Sequence, residues 1–186
     1  MLMPAFRIFP EEAEIIGRLL AGYTELEIDL MDCVHVARDD LDATLKAMFR
    51  VRGETQRIGV ADALGRHTYR KLKLDTEFGM AIGNMRFCLK IRNQYAHCNW
   101  YDDNSGALAF VNIEELADLN VHVTDLRSLT IHHVDVPTLE AQEAYFNYTM
   151  ALLHWLNLEG RVLAGSLPSH TLTNPTQMTQ PLLHIP

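Results

Sequence analysis

The residue types best suited to chemistry lie in one short run, Arg92-Asn93-Gln94-Tyr95-Ala96-His97. An unperturbed imidazole titrates at about 6.5, so His97 can give or take a proton near neutral pH. Arg92 offers a rigid fork of donors that matches a phosphate. An arginine and a histidine suffice for cleavage of an RNA phosphodiester, because the 2′-hydroxyl supplies the nucleophile. Neither a metal nor another cofactor is expected. On an ideal helix Arg92 and His97 are about 140° apart, whereas Asn93 and His97, at a spacing of four, are neighbours. A site that uses both ends of the run therefore lies at the helix end or in a groove between helices. The negative end of the helix dipole would favour a protonated His97. The same residues also suit a plain polar helix end, with Arg92 paired to a carboxylate such as Asp102 and His97 bonded to a terminal carbonyl.

The run must be carried by helices. Pro10 followed by Glu11, Glu12 and Glu14 is a helix start, with carboxylates at the positive dipole end. The stripe Ile15, Leu19, Tyr23, Leu26, Leu30 and Val34 then repeats at steps of three and four, as one helix face requires. Asp40 caps a second helix with Leu41, Leu45, Met48 and Phe49 turned inward, stopped by Gly53. A third is expected over 55–74, with Ile58, Ala61 and Leu64 on its apolar side. A fourth starts at Asp75 or Thr76 and reaches about Cys98, its core face being Phe78, Ile82, Met85 and Leu89. Asp102-Asp103-Asn104-Ser105-Gly106 is a turn cluster. Residues 107–113 and 129–134 read as two short strands, the stretch 114–126 between them being ambiguous. Pro137 opens a last helix to about Leu163, apolar almost all round and hence central. The fold expected is mainly α: a helical bundle with a small two-stranded β insertion at about 107–134. Residues 1–166 form the domain, and 167–186 an irregular tail, rich in Pro, Thr and Gln, that is either mobile or draped on a partner.

At 186 residues, 48% hydrophobic and 22% charged, the chain is long and apolar enough to bury its own core without staples. No stretch offers the roughly 20 apolar residues of a membrane span, and no secretion signal is read at the N-terminus. Cys33, Cys88 and Cys98 are odd in number and form no Cys-x-x-Cys pair, which fits buried, reduced thiols of a cytoplasmic protein. The net charge of −8 argues against nucleic acid, but its distribution does not. Residues 1–45 hold 3 basic and 10 acidic side chains, 46–92 hold 11 and 4, and 93–186 hold 2 and 10. The basic block leads into Arg92. Its Arg66, Arg70, Lys71, Lys73, Arg86 and Lys90 could recruit RNA, or they could solvate helix faces and pair with the acidic flanks.

Other constellations are weaker. Trp100 and Tyr101 could stack on a base or simply pack the helix end. His132 and His133 point to opposite faces of a strand and make a poor metal pair alongside His122. No Gly-rich phosphate loop, Gly-x-Ser-x-Gly elbow or His-Glu-x-x-His occurs, so an ordinary ATPase, serine hydrolase or zincin is not indicated.

The run Leu89 to His97 resembles the signature helix of the HEPN superfamily (higher eukaryotes and prokaryotes nucleotide-binding). That signature is an arginine, a polar residue such as asparagine, a short spacer and a histidine, late in a helix of an all-helical bundle. Arg92, Asn93 and His97 match it over about ten residues. The resemblance implies a metal-independent endoribonuclease of a toxin–antitoxin or phage-defence system, acting as a homodimer whose signature helices meet at a cleft. His97 would be the general acid/base, Arg92 would stabilise the phosphorane, and Asn93 would orient His97 or bind phosphate. An antitoxin or regulatory protein would be a partner. The inserted strands are not part of the minimal bundle. Some members lack catalysis, and the mannitol-operon repressor proteins look like a comparable helical family without nuclease activity. The alternative is therefore a non-catalytic dimeric interaction or regulatory protein on the same fold.

Overall fold

Every member of the stripe Ile15, Leu19, Tyr23, Leu26, Leu30 and Val34 is buried along one helix. The computed structural model describes residues 4–112 and 130–185. The sequence expectations for 113 and 129, for the stretch 114–126 and for His122 lie outside the described residues. Among the described residues the helices are α1 (Ala5–Ile8), α2 (Pro10–Arg38), α3 (Leu41–Phe49), α4 (Glu54–Lys71), α5 (Asp75–Ala96) and α6 (Val136–Leu163). The strands are β1 (Cys98–Tyr101), β2 (Leu108–Asn112) and β3 (His132–Val134). The architecture is mainly α with a small sheet, as the periodicity predicts. The chain divides into two compact units. One comprises residues 22–89 and 145–179, the other 1–21, 90–144 and 180–186.

The first unit is a helical packing problem solved around Tyr69. This side chain is fully buried, and its hydroxyl donates to the Cys33 carbonyl at 3.0 Å, so α4 is tied to α2 without an unsatisfied group. The Tyr69 ring stacks on Phe78 of α5, centroids 4.4 Å apart. The stack needs Gly65: a Cβ there would meet Phe78 Cζ at 2.6 Å. On the other side of α2 the Cys33 thiol donates to the Leu153 carbonyl of α6 at 3.2 Å, and Tyr145 of α6 donates to Asn84 of α5 at 2.8 Å. Arg57 bonds both carboxylate oxygens of the buried Glu27 at 3.1 Å. A buried charge survives only with such a partner.

The second helix departs from expectation in its facing. Asp40 does cap α3, accepting from the Ala43 amide at 2.9 Å. Leu41 and Leu45, however, are 49% and 46% exposed, and the buried line is Thr44 and Met48. Thr44 can take an inward position because its hydroxyl donates to the Asp40 carbonyl at 2.7 Å.

Among the described residues of the second unit the sheet has three antiparallel strands in the order β1-β2-β3 rather than the expected two. The added strand is Cys98–Tyr101, where the fourth helix was expected to end. Its Trp100 and Tyr101 favour a pleated, half-buried surface, and the Asx turns of the next loop return the chain. There the Asn104 amide donates to Asp102 at 2.8 Å and the Ser105 amide to Asp103 at 3.0 Å. In register, Trp100 faces Phe110 and Phe110 faces His132, so one face carries a row of rings. Phe6 extends the row on one side and His184 on the other.

Two glycines of α4 give opposite expectations. Gly65→Ala should lower unfolding stability by about 1–3 kcal/mol through overpacking against Phe78. Gly59→Ala, with nothing within 4 Å of the new methyl, should raise it by up to about 1 kcal/mol through helix propensity. Denaturant melts of the two variants check the pair.

Candidate functional site at the end of α5

α5 ends at Ala96, and His97 occupies the single-residue turn before β1. The sequence placed Arg92 and His97 together in the last two turns of one helix. Because His97 has left the helix, the ideal-helix angle of about 140° does not describe it. Arg92 and Asn93 are half-buried and His97 is exposed. The Arg92 Nη1 donates to Asn93 Oδ1 at 3.0 Å. Asn93 is therefore one of the groups that hold the guanidinium.

The intervening residues, which carry no role in the signature, are the most constrained. Tyr95 is buried and donates to Gln142 Oε1 at 2.7 Å. Burial raises the Tyr95 hydroxyl above its ordinary range, so it serves as a donor and not as a base. Gln142 is fully buried on α6, and its amide donates to the carbonyls of Leu182 and Leu183 at 2.8 and 3.1 Å. Gln94 donates to the same Leu183 carbonyl at 2.8 Å. The C-terminal segment thus binds its own chain. The available signal was Gln142 itself, a polar residue in the position of an apolar stripe with Leu139, Tyr145 and Phe146.

The basic segment is only partly available to an anion. In the first unit, Arg66 bonds Asp62 at 2.6 Å, Arg86 lies 3.6 Å from Asp62, and Arg66 and Arg70 each lie 3.8 Å from Asp75. The two carboxylates belong to the basic segment itself, not to the acidic flanks. Lys71 and Lys73 are exposed. In the second unit Lys90 is exposed one turn before Asn93.

Trp100 stands on β1, not at a helix end, and packs against Phe6, Tyr95 and Phe110 at centroid distances of 5.4, 5.6 and 5.3 Å. That favours packing over base stacking. His132 lies on the aromatic face, 4.3 Å from the His184 ring. His133 faces the other way and bonds Asp103 at 2.9 Å. Bonds from Ser105 and His133 pull the Asp103 carboxyl down to about 2. Among the described residues no group of three or more His, Cys, Asp or Glu could hold a metal ion.

The chain matches no protein-family model, no curated protein and no solved structure. The functional reading therefore rests on the residues themselves.

Cys98 follows His97 directly, a pairing that in other settings makes a thiolate nucleophile. Here burial pushes the Cys98 thiol up to about 12, and does the same to Cys33 and Cys88. A disulfide reagent needs the thiolate. At pH 8 the native protein should show no fast-reacting thiol, while denaturant should release all three. A rapid first equivalent in the native state would show Cys98 to be activated.

Proposed function

We propose that the chain is a HEPN-like, metal-independent endoribonuclease acting at the exit of α5. The observation that carries this reading is the arrangement of three side chains in the signature order: Arg92 aimed by Asn93, and His97 exposed in the turn that follows the helix. An imidazole there can take the proton of the RNA 2′-hydroxyl or deliver one to the departing 5′-oxygen. The guanidinium of Arg92 would stabilise the charge that develops on the phosphorane oxygens. The products would be a 2′,3′-cyclic phosphate and a free 5′-hydroxyl, with no redox change and no metal. The proposal includes a two-fold homodimer that brings two α5 ends to one cleft. RNA is the substrate, and an antitoxin or regulatory protein is the expected partner of a toxin or phage-defence component.

A non-catalytic interaction protein on the same fold is the second reading. It is favoured by Gln94 and Tyr95, which are committed to structural bonds at the centre of the run.

Incubation of the pure protein with mixed RNAs separates the two. Cleavage should persist in chelator, and His97→Ala should slow it by about a hundredfold or more, the scale of a lost general acid or base. If wild type and His97→Ala leave the same RNAs intact, the interaction reading stands. If chelator stops cleavage, the metal-free mechanism is wrong.

RNA binding should also weaken steeply with salt. Replacing Lys71 and Lys73, which stand exposed, should lower affinity more than replacing Arg66, which is held by Asp62. A filter-binding salt titration that shows no slope would count against RNA as the ligand.

A further inference from the structure

We propose that residues 181–185 are a built-in peptide ligand, a strap that holds the turn carrying His97 in place. The segment has no regular secondary structure, yet three of its main-chain groups are held by four hydrogen bonds. The Leu182 carbonyl accepts from Gln142 at 2.8 Å. The Leu183 carbonyl accepts from Gln142 at 3.1 Å and from Gln94 at 2.8 Å. The Ile185 amide donates to the His133 carbonyl of β3 at 2.8 Å. The Tyr95 hydroxyl lies 3.4 Å from the Leu183 carbonyl, and the His184 ring packs against His132 at a tilt of 35°.

The direction of the grip follows from the helix. Gln94 and Tyr95 lie about 200° and 300° round α5 from Arg92, and Asn93 about 100°. The strap therefore braces the side of the last turn away from Asn93. It is a support behind the site, not a cover over it. Its partners are also unsatisfied without it: the Gln142 amide is fully buried, and a buried donor stripped of its acceptor is costly. Releasing the strap should therefore loosen α5 from behind. The strap is not sealed at its start. A cavity of about 240 Å³ lies among Pro137, Thr138, Ala141, Pro181 and Leu182, which leaves a place from which the segment can peel. The inference adds a regulation to the site of the proposed nuclease, but its test does not depend on RNA.

The experiment is hydrogen exchange by mass spectrometry on the full chain and on two full-length variants. Ile185→Pro deletes the amide that bonds β3. Gln142→Leu deletes the donors to Leu182 and Leu183 together with the acceptor of Tyr95, so Ile185→Pro is the variant that tests the strap alone. Gln177→Pro, at an exposed position outside the strap, is the control. In wild type both 182–185 and 93–98 should be protected. In both strap variants 93–98 should exchange about tenfold faster or more, and in Gln142→Leu the Ile185 amide should do so too, while 26–37 of α2 keeps the wild-type rate. The control should match wild type. Protection of 93–98 that stays at the wild-type level while 182–185 exchanges freely would overturn the proposal. So would an Ile185 amide already unprotected in wild type, or one that keeps full protection in Gln142→Leu. Should wild type cleave RNA, Ile185→Pro should cleave more slowly. Absence of cleavage in wild type bears on the nuclease reading alone.

Discussion

The hydrogen bond between Tyr95 and Gln142, 2.7 Å long and fully shielded from water, is the contact on which the second unit depends. Neither partner could be buried alone. A polar group left without a partner in such surroundings costs about 1–3 kcal/mol, so each side chain requires the other. Gln142 has further donors to place, and the carbonyls of Leu182 and Leu183 receive them. Three pieces far apart in sequence are thereby held at one point, and the rings of Trp100 and Phe110 close round Tyr95. The geometry at His97 is inherited from this node, because only Ala96 separates the two residues.

The first unit uses the same logic with different residues. Tyr69 is again an aromatic ring with a satisfied hydroxyl, here bonded to a backbone carbonyl. A backbone acceptor has a fixed direction, so this node pins the crossing of α4 over α2 rather than capturing a loop. Gly65 and Gly160 supply the clearance, the latter 3.5 Å from Tyr69 by its would-be Cβ. Both units thus spend their few buried polar groups on joining elements, as a specific core requires.

Where periodicity alone decides, the sequence was legible. The buried faces of α2 and α5 follow from apolar steps of three and four, whereas α6, expected to be central, carries an exposed stripe of Glu140, Ala144, Asn147, Ala151 and His154. Legibility failed where a side chain's partner is remote. Leu41 and Leu45 looked inward-facing, but a satisfied Thr44 took the buried place. Cys98–Tyr101 does not read as a strand, because four residues are too few to show alternation and the pairing with β2 is non-local. At the site, the order Arg92, Asn93, His97 could be read directly. The bond between Arg92 and Asn93, the neutralisation of Arg66 by Asp62, and the capture of the C-terminal segment could not, since each depends on three-dimensional proximity.

The abruptness of the junction at His97 limits how this region can vary in length. One residue separates the last of α5 from the first of β1, so there is no slack to absorb an insertion. Side chains alternate along a strand, and adding or removing one residue here would exchange the two faces of β1. Trp100 would leave its place opposite Phe110, and Asn99 or Tyr101 would have to fill it. Change by substitution is open to this segment, while change by insertion or deletion is directed to the loop of residues 102–107, where the chain already turns through Asn104 and Gly106 at positive φ.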